Sequence, residues 1–142
     1  YMRAREVYEI FEEFSKAKNK AERLQVLEQY KSAIPFKDVL RGTFDDMLVF
    51  KLPAGTPPYT PNKPQSAPSS LLRRHKEFGL FVENGPGATM PAFRRELKFI
   101  QMLESIHPKD AEIVLAMVSK TSPVKFLTKK LVEEAYPGLI RK

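Results

Sequence analysis

Apolar side chains recur every three or four residues along most of the chain, which is the period of an amphipathic helix. Residues 3–30 carry this pattern with a lapse around residues 15–19, so we expect two helices that are joined at the lapse. No segment shows sustained alternation of apolar and polar positions, and the predicted fold class is therefore all-α. We expect a compact multi-helix bundle that forms a single domain over residues 1–142.

Two short helices are predicted next, before the character of the chain changes. The first covers residues 35–41 and is closed by Gly42, since glycine is common just after a helix. The second covers residues 45–52, with Thr43 as its expected N-cap. Phenylalanine and leucine side chains in this second segment are available to the core.

A proline-rich segment follows at residues 53–70. Six prolines lie there among glycine, threonine, serine and asparagine, at Pro53, Pro57, Pro58, Pro61, Pro64 and Pro68. This density excludes a helix or a central strand and predicts a long extended connector within the domain. Binding of a proline-recognition module is the alternative, and a linker is favoured because no PxxP pair has a basic anchor beside it.

Prolines and serines mark the starts of three more helices. Ser69 or Ser70 is expected to cap a helix that runs to about residue 82, and a turn-rich loop then leads to Pro91. The helix after Pro91 has a predicted core stripe at helical spacing, formed by Phe93, Leu97, Ile100 and Leu103. The helix from Pro108 is apolar nearly all round and is predicted to be the central buried one, with His107 as a capping or turn residue.

The last helix is predicted to begin at Ser122 as N-cap and Pro123 in the first turn, and to end at Tyr136-Pro-Gly. Its apolar face is formed by Val124, Leu127, Leu131 and Ala135. Free N–H groups and the helix dipole at such an N-terminus favour a phosphate. The alternative interpretation is a C-terminal core helix with solvated lysines.

The charge of the chain favours a polyanion as its partner, whereas its composition indicates no particular catalytic chemistry. The net charge is +7, from 24 basic and 17 acidic residues. The basic excess lies in residues 119–142, and a second basic cluster spans residues 16–23, where a solvated turn is the alternative interpretation. The chain has no cysteine, which excludes a disulfide framework and cysteine-based zinc sites and is consistent with a cytoplasmic location. No signal-peptide pattern opens the chain, and Met2 is the expected native start.

Candidate catalytic groups are few. His75 and His107 are the two histidines, and neither has carboxylates at metal-ligand spacing. Gly85-Pro-Gly lacks the lysine and hydroxyl residue of a phosphate-binding loop. Adjacent acidic residues point in different directions on a helix and do not form an acid/base pair. We therefore expect a protein that is not an enzyme and that needs no metal, cofactor or small-molecule ligand.

Three segments carry a resemblance to a known family. Residues 17–28 form a polar turn leading into a helix, and residues 37–53 lead through an aromatic-rich segment to a proline loop. Residues 112–140 resemble two closing helices, the second of which finishes in an aromatic-Pro-Gly-Leu-Ile pattern. Together they resemble the N-terminal DNA-binding domain of ATP-dependent DNA ligases, especially the compact phage type.

The resemblance implies an all-helical domain that wraps nicked duplex DNA and holds backbone phosphates without reading sequence. Where the family has a glycine-containing turn, this chain has Thr-Ser-Pro, and the Lys-x-Asp-Gly adenylation motif is absent from its sequence, so it is not expected to seal nicks by itself. The residues expected to bind DNA are Lys120, Thr121, Ser122, Lys125 and Lys129, which match the family, together with Lys16, Lys18 and Lys20 of the basic cluster.

These observations lead to two functional hypotheses, and a third hypothesis has no signal in the sequence. The first is a non-catalytic, sequence-independent duplex-DNA-binding protein of phage type that grips phosphates with helix N-termini and lysines. The second is a ligase-like scaffold that acts as an adaptor or inhibitor of a replication, transcription or nuclease protein. The third is a virion component. The first two differ in their partner, which is duplex DNA in one case and an acidic protein in the other.

Overall fold

The computed structural model describes residues 4–141, and this part of the chain contains seven α-helices and two 3₁₀ helices. The expected native start at Met2 and the predicted helix start at Arg3 lie outside the described residues. The α-helices are α1 Val7–Lys16, α2 Lys20–Gln29, α3 Ile34–Phe44, α4 Leu71–Arg74, α5 Ala92–Leu103, α6 Pro108–Val118 and α7 Lys129–Ala135. The 3₁₀ helices are Pro64–Ser66 and His75–Phe81. Residues 4–141 contain no strand, only an isolated bridge between Phe50 and Val82, and the all-α prediction is confirmed.

Helix α6 is the centre of the bundle, as its apolar sequence predicts. It packs against α1, α3 and α5, and it buries Ala111, Val114 and Met117 completely or nearly so. Each large aliphatic or aromatic side chain buried in this way contributes about 1.5–3 kcal/mol relative to an exposed one. Within residues 4–141, no helix is both long enough and apolar enough to cross a bilayer.

The predicted break between the first two helices is confirmed, and a hydrogen-bonded cap explains it. Asn19 is the N-cap of α2, and its side-chain oxygen accepts a hydrogen bond from Glu22 N at 2.9 Å. The Glu22 carboxylate accepts from Lys18 N at 2.9 Å. These two bonds satisfy backbone donors that a continuous helix would use internally.

The predicted ends of the third helix and the predicted helix at residues 45–52 are both wrong. Helix α3 continues through Gly42 to Phe44, and the glycine allows the close approach of α6, since a Cβ there would lie 2.5 Å from Met117 Sδ. Thr43 is not an N-cap, and its hydroxyl donates to Val39 O within α3. Residues 45–52 instead form a turn followed by an extended segment. This segment lies beside Val82, and Lys51 N donates to Phe81 O at 2.7 Å.

The proline-rich segment is extended, as predicted, apart from the 3₁₀ turn Pro64–Ser66. It is held against the turn between α5 and α6. The Asn62 amide donates to Glu104 O and Ile106 O, and Thr60 N donates to the Glu104 carboxylate at 2.8 Å. At its end, Ser70 caps α4 by accepting from Leu72 N, which confirms one of the two predicted caps. The helix that follows changes to 3₁₀ geometry from His75 onward.

The core stripe predicted for α5 is wrong at two of its four positions. Phe93 and Leu97 are 74% and 51% exposed, while Phe99, Met102 and Leu103 are buried. Arg95 is buried as well and donates to the carbonyls of Lys51, Gly87 and Met90.

The orientation of α5 follows from these contacts. The three acceptors hold the Arg95 face of the helix inward, and Phe93 therefore points outward. Of the predicted stripe, Leu103 is buried and Ile100 is half-buried.

The predicted start of the last helix is also wrong. Residues 119–128 are irregular, and α7 begins at Lys129 with Thr128 as N-cap, whose hydroxyl accepts from Leu131 N. Two left-handed residues, Lys120 at φ 60° and Phe126 at φ 70°, interrupt the segment in which a helix was expected. Its predicted end is correct, since Tyr136 is the C-cap.

Candidate nucleic-acid interface

An exposed aromatic ring brings two cations together on the surface. The guanidinium carbon of Arg23 lies 4.1 Å from the ring centroid of Phe126, and Lys125 Nζ lies 5.2 Å from the same centroid. Phe126 is 55% exposed despite these neighbours. We call Lys20, Arg23, Lys125 and Phe126 the Phe126 cluster. Arg23 and Lys125 place two positive charges against the aromatic ring, and Lys20 adds a third charge on the same face of α2 as Arg23.

Two elements build this cluster. Helix α2 supplies Lys20 and Arg23, which are three residues apart and so lie on one face of the helix. The loop before α7 supplies Lys125 and Phe126. Lys20 Nζ lies 3.1 Å from the Glu134 carboxylate of α7, which joins the same two parts of the fold and partly neutralises Lys20.

The basic turn between α1 and α2 lies at the edge of this surface. Ser15, at the end of α1, lines one shallow groove together with Ser122, Pro123 and Val124 of the loop. Lys18 is exposed on the turn and precedes Lys20 by two residues. Lys16 is also exposed, but it borders a depression that contains Glu13, Glu22 and Glu28. These carboxylates weaken the attraction of Lys16 for a phosphate.

Lys120 is half-buried against the end of α3 rather than exposed at this surface. Its Nζ donates to Gly42 O at 2.6 Å and to Asp45 O at 2.9 Å, and it lies 5.2 Å from the Phe50 ring centroid. Burial lowers the pKa of Lys120 from the usual value for lysine, and the nearby Asp45 and Asp46 carboxylates oppose that change. Its ammonium group joins the loop to the end of α3.

Lys129 also points to the end of α3, because its Nζ lies 3.3 Å from the Asp46 carboxylate. Five of the six lysines predicted to bind DNA therefore divide into two groups. Lys18, Lys20 and Lys125 are at or beside the Phe126 cluster, whereas Lys120 and Lys129 contact residues at the end of α3.

The helix N-terminus predicted at Ser122 does not exist, so its free amides do not form a phosphate site. Thr121 N donates to Ala116 O at 2.9 Å, and Lys120 N donates to Met117 O at 3.0 Å. The Ser122 hydroxyl donates to Val124 O at 2.9 Å rather than accepting from a helical amide. The chain after α6 thus uses these donors to end that helix and to turn.

Phe126 and its contact with Arg23 were missed by the sequence interpretation. In the sequence Phe126 is one more apolar residue of a presumed helix. Phe126 is exposed and has a left-handed backbone, which is uncommon for a bulky residue and is found more often at functional sites. The one local signal for this cluster in the sequence is a lysine directly before an aromatic residue, and this signal is weak.

Both histidine side chains form contacts with other residues of the fold. His75 is buried, with Nδ1 lying 2.6 Å from the Asp38 carboxylate. His107 stacks on Tyr8 at 4.0 Å and caps α6 by accepting from Lys109 N, which confirms its predicted capping role. Burial and the neighbouring Lys109 lower the pKa of His107. Among residues 4–141, no three His, Cys, Asp or Glu side chains are grouped so that they could hold a metal ion.

Comparison with known proteins supplies the family and leaves the function open. No curated protein matches the chain. One family model matches residues 10–122, a range that includes Lys20 and Arg23 and ends before Lys125 and Phe126. The chain therefore belongs to DUF6433, a family of unknown function.

Proposed function

We propose that this protein binds duplex DNA without catalysis and without reading sequence, by contacting backbone phosphates through the Phe126 cluster. The observation that carries the proposal is the convergence of Arg23 and Lys125 on one exposed ring. Arginine and lysine are the side chains that most often contact phosphates, and such contacts position a protein on DNA without specifying a base.

The two cations are available to a ligand, unlike those that the fold holds in ion pairs. Among the described residues, Arg41, Arg74 and Lys109 are each in a salt bridge with a carboxylate, whereas Arg23 and Lys125 form no salt bridge and lie against the Phe126 ring. A cation–π contact leaves the outward N–H groups of a cation free to donate. The net charge of +7 adds a general attraction for a polyanion.

With about three phosphate contacts, affinity is modest and depends strongly on salt. We expect a dissociation constant on the order of 10⁻⁴ to 10⁻⁶ M at physiological salt. The slope of log K against log salt concentration is expected to be roughly −3, at about −0.9 for each phosphate neutralised.

Fluorescence anisotropy with a labelled duplex at two salt concentrations tests this proposal. The R23A/K125A variant should lose most of the binding and flatten the salt dependence. The matched control is R73A/K76A, which removes the same charge from exposed residues on α4 and the 3₁₀ helix that packs against α3. Equal losses in the two variants, or binding that does not change with salt, would reject the Phe126 cluster as the site.

A further inference from the structure

The outward face of α5 carries two large apolar side chains one helical turn apart. Phe93 is 74% exposed and Leu97 is 51% exposed. Single exposed apolar residues are ordinary on protein surfaces, but a paired set on one helical face is typical of an interaction site.

These side chains cannot be buried by a rotation of α5. Arg95 fixes one side of the helix by donating to Lys51 O at 2.9 Å and Met90 O at 2.9 Å. Phe99 also holds the helix in this orientation, because its buried ring packs with its centroid 5.3 Å from that of Phe81. Phe93 and Leu97 therefore stay outside, and burying each of them against a partner would gain about 1.5–3 kcal/mol before the costs of association.

Two of the three charged residues that border this apolar pair are positive. Arg94 and Lys98 are neighbours of Phe93 and Leu97 along the helix, and neither forms a salt bridge within residues 4–141. Glu96 is the acidic neighbour, three residues after Phe93, and Glu104 lies two helical turns beyond Leu97. Glu96 lines a cavity of about 280 Å³ beneath the proline-rich segment, and Glu104 accepts a hydrogen bond from Thr60 N.

We propose that this α5 face binds an acidic amphipathic helix of a partner protein. Apolar side chains at every third or fourth position of such a helix would pack on Phe93 and Leu97, and its carboxylates would pair with Arg94 and Lys98. A second copy of this chain fits less well, because it would bring the same excess of cations, Arg94 and Lys98, to both sides of the contact. This inference does not depend on the Phe126 cluster, which lies on α2 and the loop before α7.

The test uses two synthetic helical peptides of about 15 residues with leucine at every third or fourth position. One has glutamate at the remaining positions and the other has lysine. In ¹H–¹⁵N spectra of the protein, the glutamate peptide should shift the amides of residues 92–101. The F93S/L97S and R94E/K98E variants should each weaken its binding at least tenfold, and the lysine peptide should bind at least tenfold more weakly than the glutamate peptide.

Two controls separate this surface from general effects. The I34S/M47S variant removes two other exposed apolar residues, and R23A/K125A removes the cations of the Phe126 cluster, so both should retain the affinity. Shifts confined to other elements, equal binding of the two peptides, or no binding at millimolar peptide would overturn the proposal. A dimer that F93S/L97S dissociates, or DNA-induced shifts centred on α5, would also overturn it, in favour of a second copy or a nucleic acid.

Discussion

The guanidinium of Arg23 covers the ring of Phe126 at 4.1 Å, although the two residues lie in the first and last quarters of the chain. The contact fastens the loop before α7 to α2. Since Lys125 lies against the same ring, it also fixes the spacing of two cations. The function that we propose depends on this spacing as well as on the charges.

Replacing Phe126 separates the role of the ring from the role of the charges. Phe126 has φ 70°, a conformation that costs a residue with a Cβ about 1–2 kcal/mol and costs glycine little. In the Phe126→Gly variant this gain offsets the lost cation–π contacts, and urea unfolding should show stability within about 1 kcal/mol of the parent. DNA affinity should fall several-fold, because Arg23 and Lys125 lose their common support.

The Phe126→Ala variant is the control, because it removes the ring and keeps the strained backbone. We expect it to be about 1 kcal/mol less stable than the glycine variant and similar to it in DNA affinity. If both variants bind DNA as tightly as the parent, the ring has no part in the site.

Two lysines five residues apart should give opposite results when each is changed to methionine. Lys120→Met removes the ammonium donor of Gly42 O and leaves Asp45 O with only the bond from Leu48 N, so it should cost about 1–3 kcal/mol of stability. Lys125→Met removes an exposed charge, so stability should stay within about 0.5 kcal/mol while DNA affinity falls. Urea unfolding and anisotropy measure the two effects. A loss of DNA affinity for Lys120→Met that is as large as that for Lys125→Met would restore the phosphate role expected from the sequence.

The elements that could be predicted from the sequence are those set by local pattern. The break between α1 and α2, the cap at Ser70, the end of α7 at Tyr136 and the central position of α6 all follow from apolar periodicity or from residues within one turn. Such features depend on neighbours in the chain, and the sequence contains that information directly.

The features that could not be predicted depend on contacts between distant parts of the chain. Both faces of α5 have apolar residues, and the hydrogen bonds from Arg95 to Lys51 and Met90 decide which face is buried. Lys120 is an ordinary basic residue in the sequence, and only the nearby end of α3 makes it a structural one. The Phe126 cluster was predicted in part, since Lys20 and Lys125 were named, but the ring that unites them was not.

The Arg95→Lys variant tests whether one buried guanidinium holds α5 in place. Lysine keeps the charge but lacks the planar fork that reaches three carbonyls, so we expect a loss of about 2–4 kcal/mol in urea unfolding. Arg94→Lys, at an exposed position on the same helix, should change stability by less than about 0.5 kcal/mol. Similar values for the two variants would show that the Arg95 hydrogen bonds do not fix the helix.

Asp110 should make the stability of the protein fall as pH rises towards neutrality. Burial raises the pKa of Asp110 to about 7; a hydrogen bond from Tyr8 N opposes this change, and the Glu6 and Glu9 carboxylates add to it. Its Oδ2 atom is buried, and no other group within residues 4–141 forms a hydrogen bond with it. Because the folded pKa lies above the ordinary value of 3.8, the protonated form favours folding. The contribution is complete below pH of about 4 and is lost as pH rises through about 7, up to an upper bound of about 4 kcal/mol.

The Asp110→Asn variant removes this dependence, because asparagine is neutral at every pH and its oxygen can still accept from Tyr8 N. Urea unfolding should show that the variant and the parent have similar stability near pH 4 and that the variant is more stable at pH 8. Glu112→Gln removes an exposed carboxylate from the same helix and should leave the pH profile of the parent unchanged. If Asp110→Asn is instead the less stable protein at pH 8, the ionised carboxylate is stabilised at the N-termini of α1 and α6. The pKa of Asp110 would then lie below neutrality.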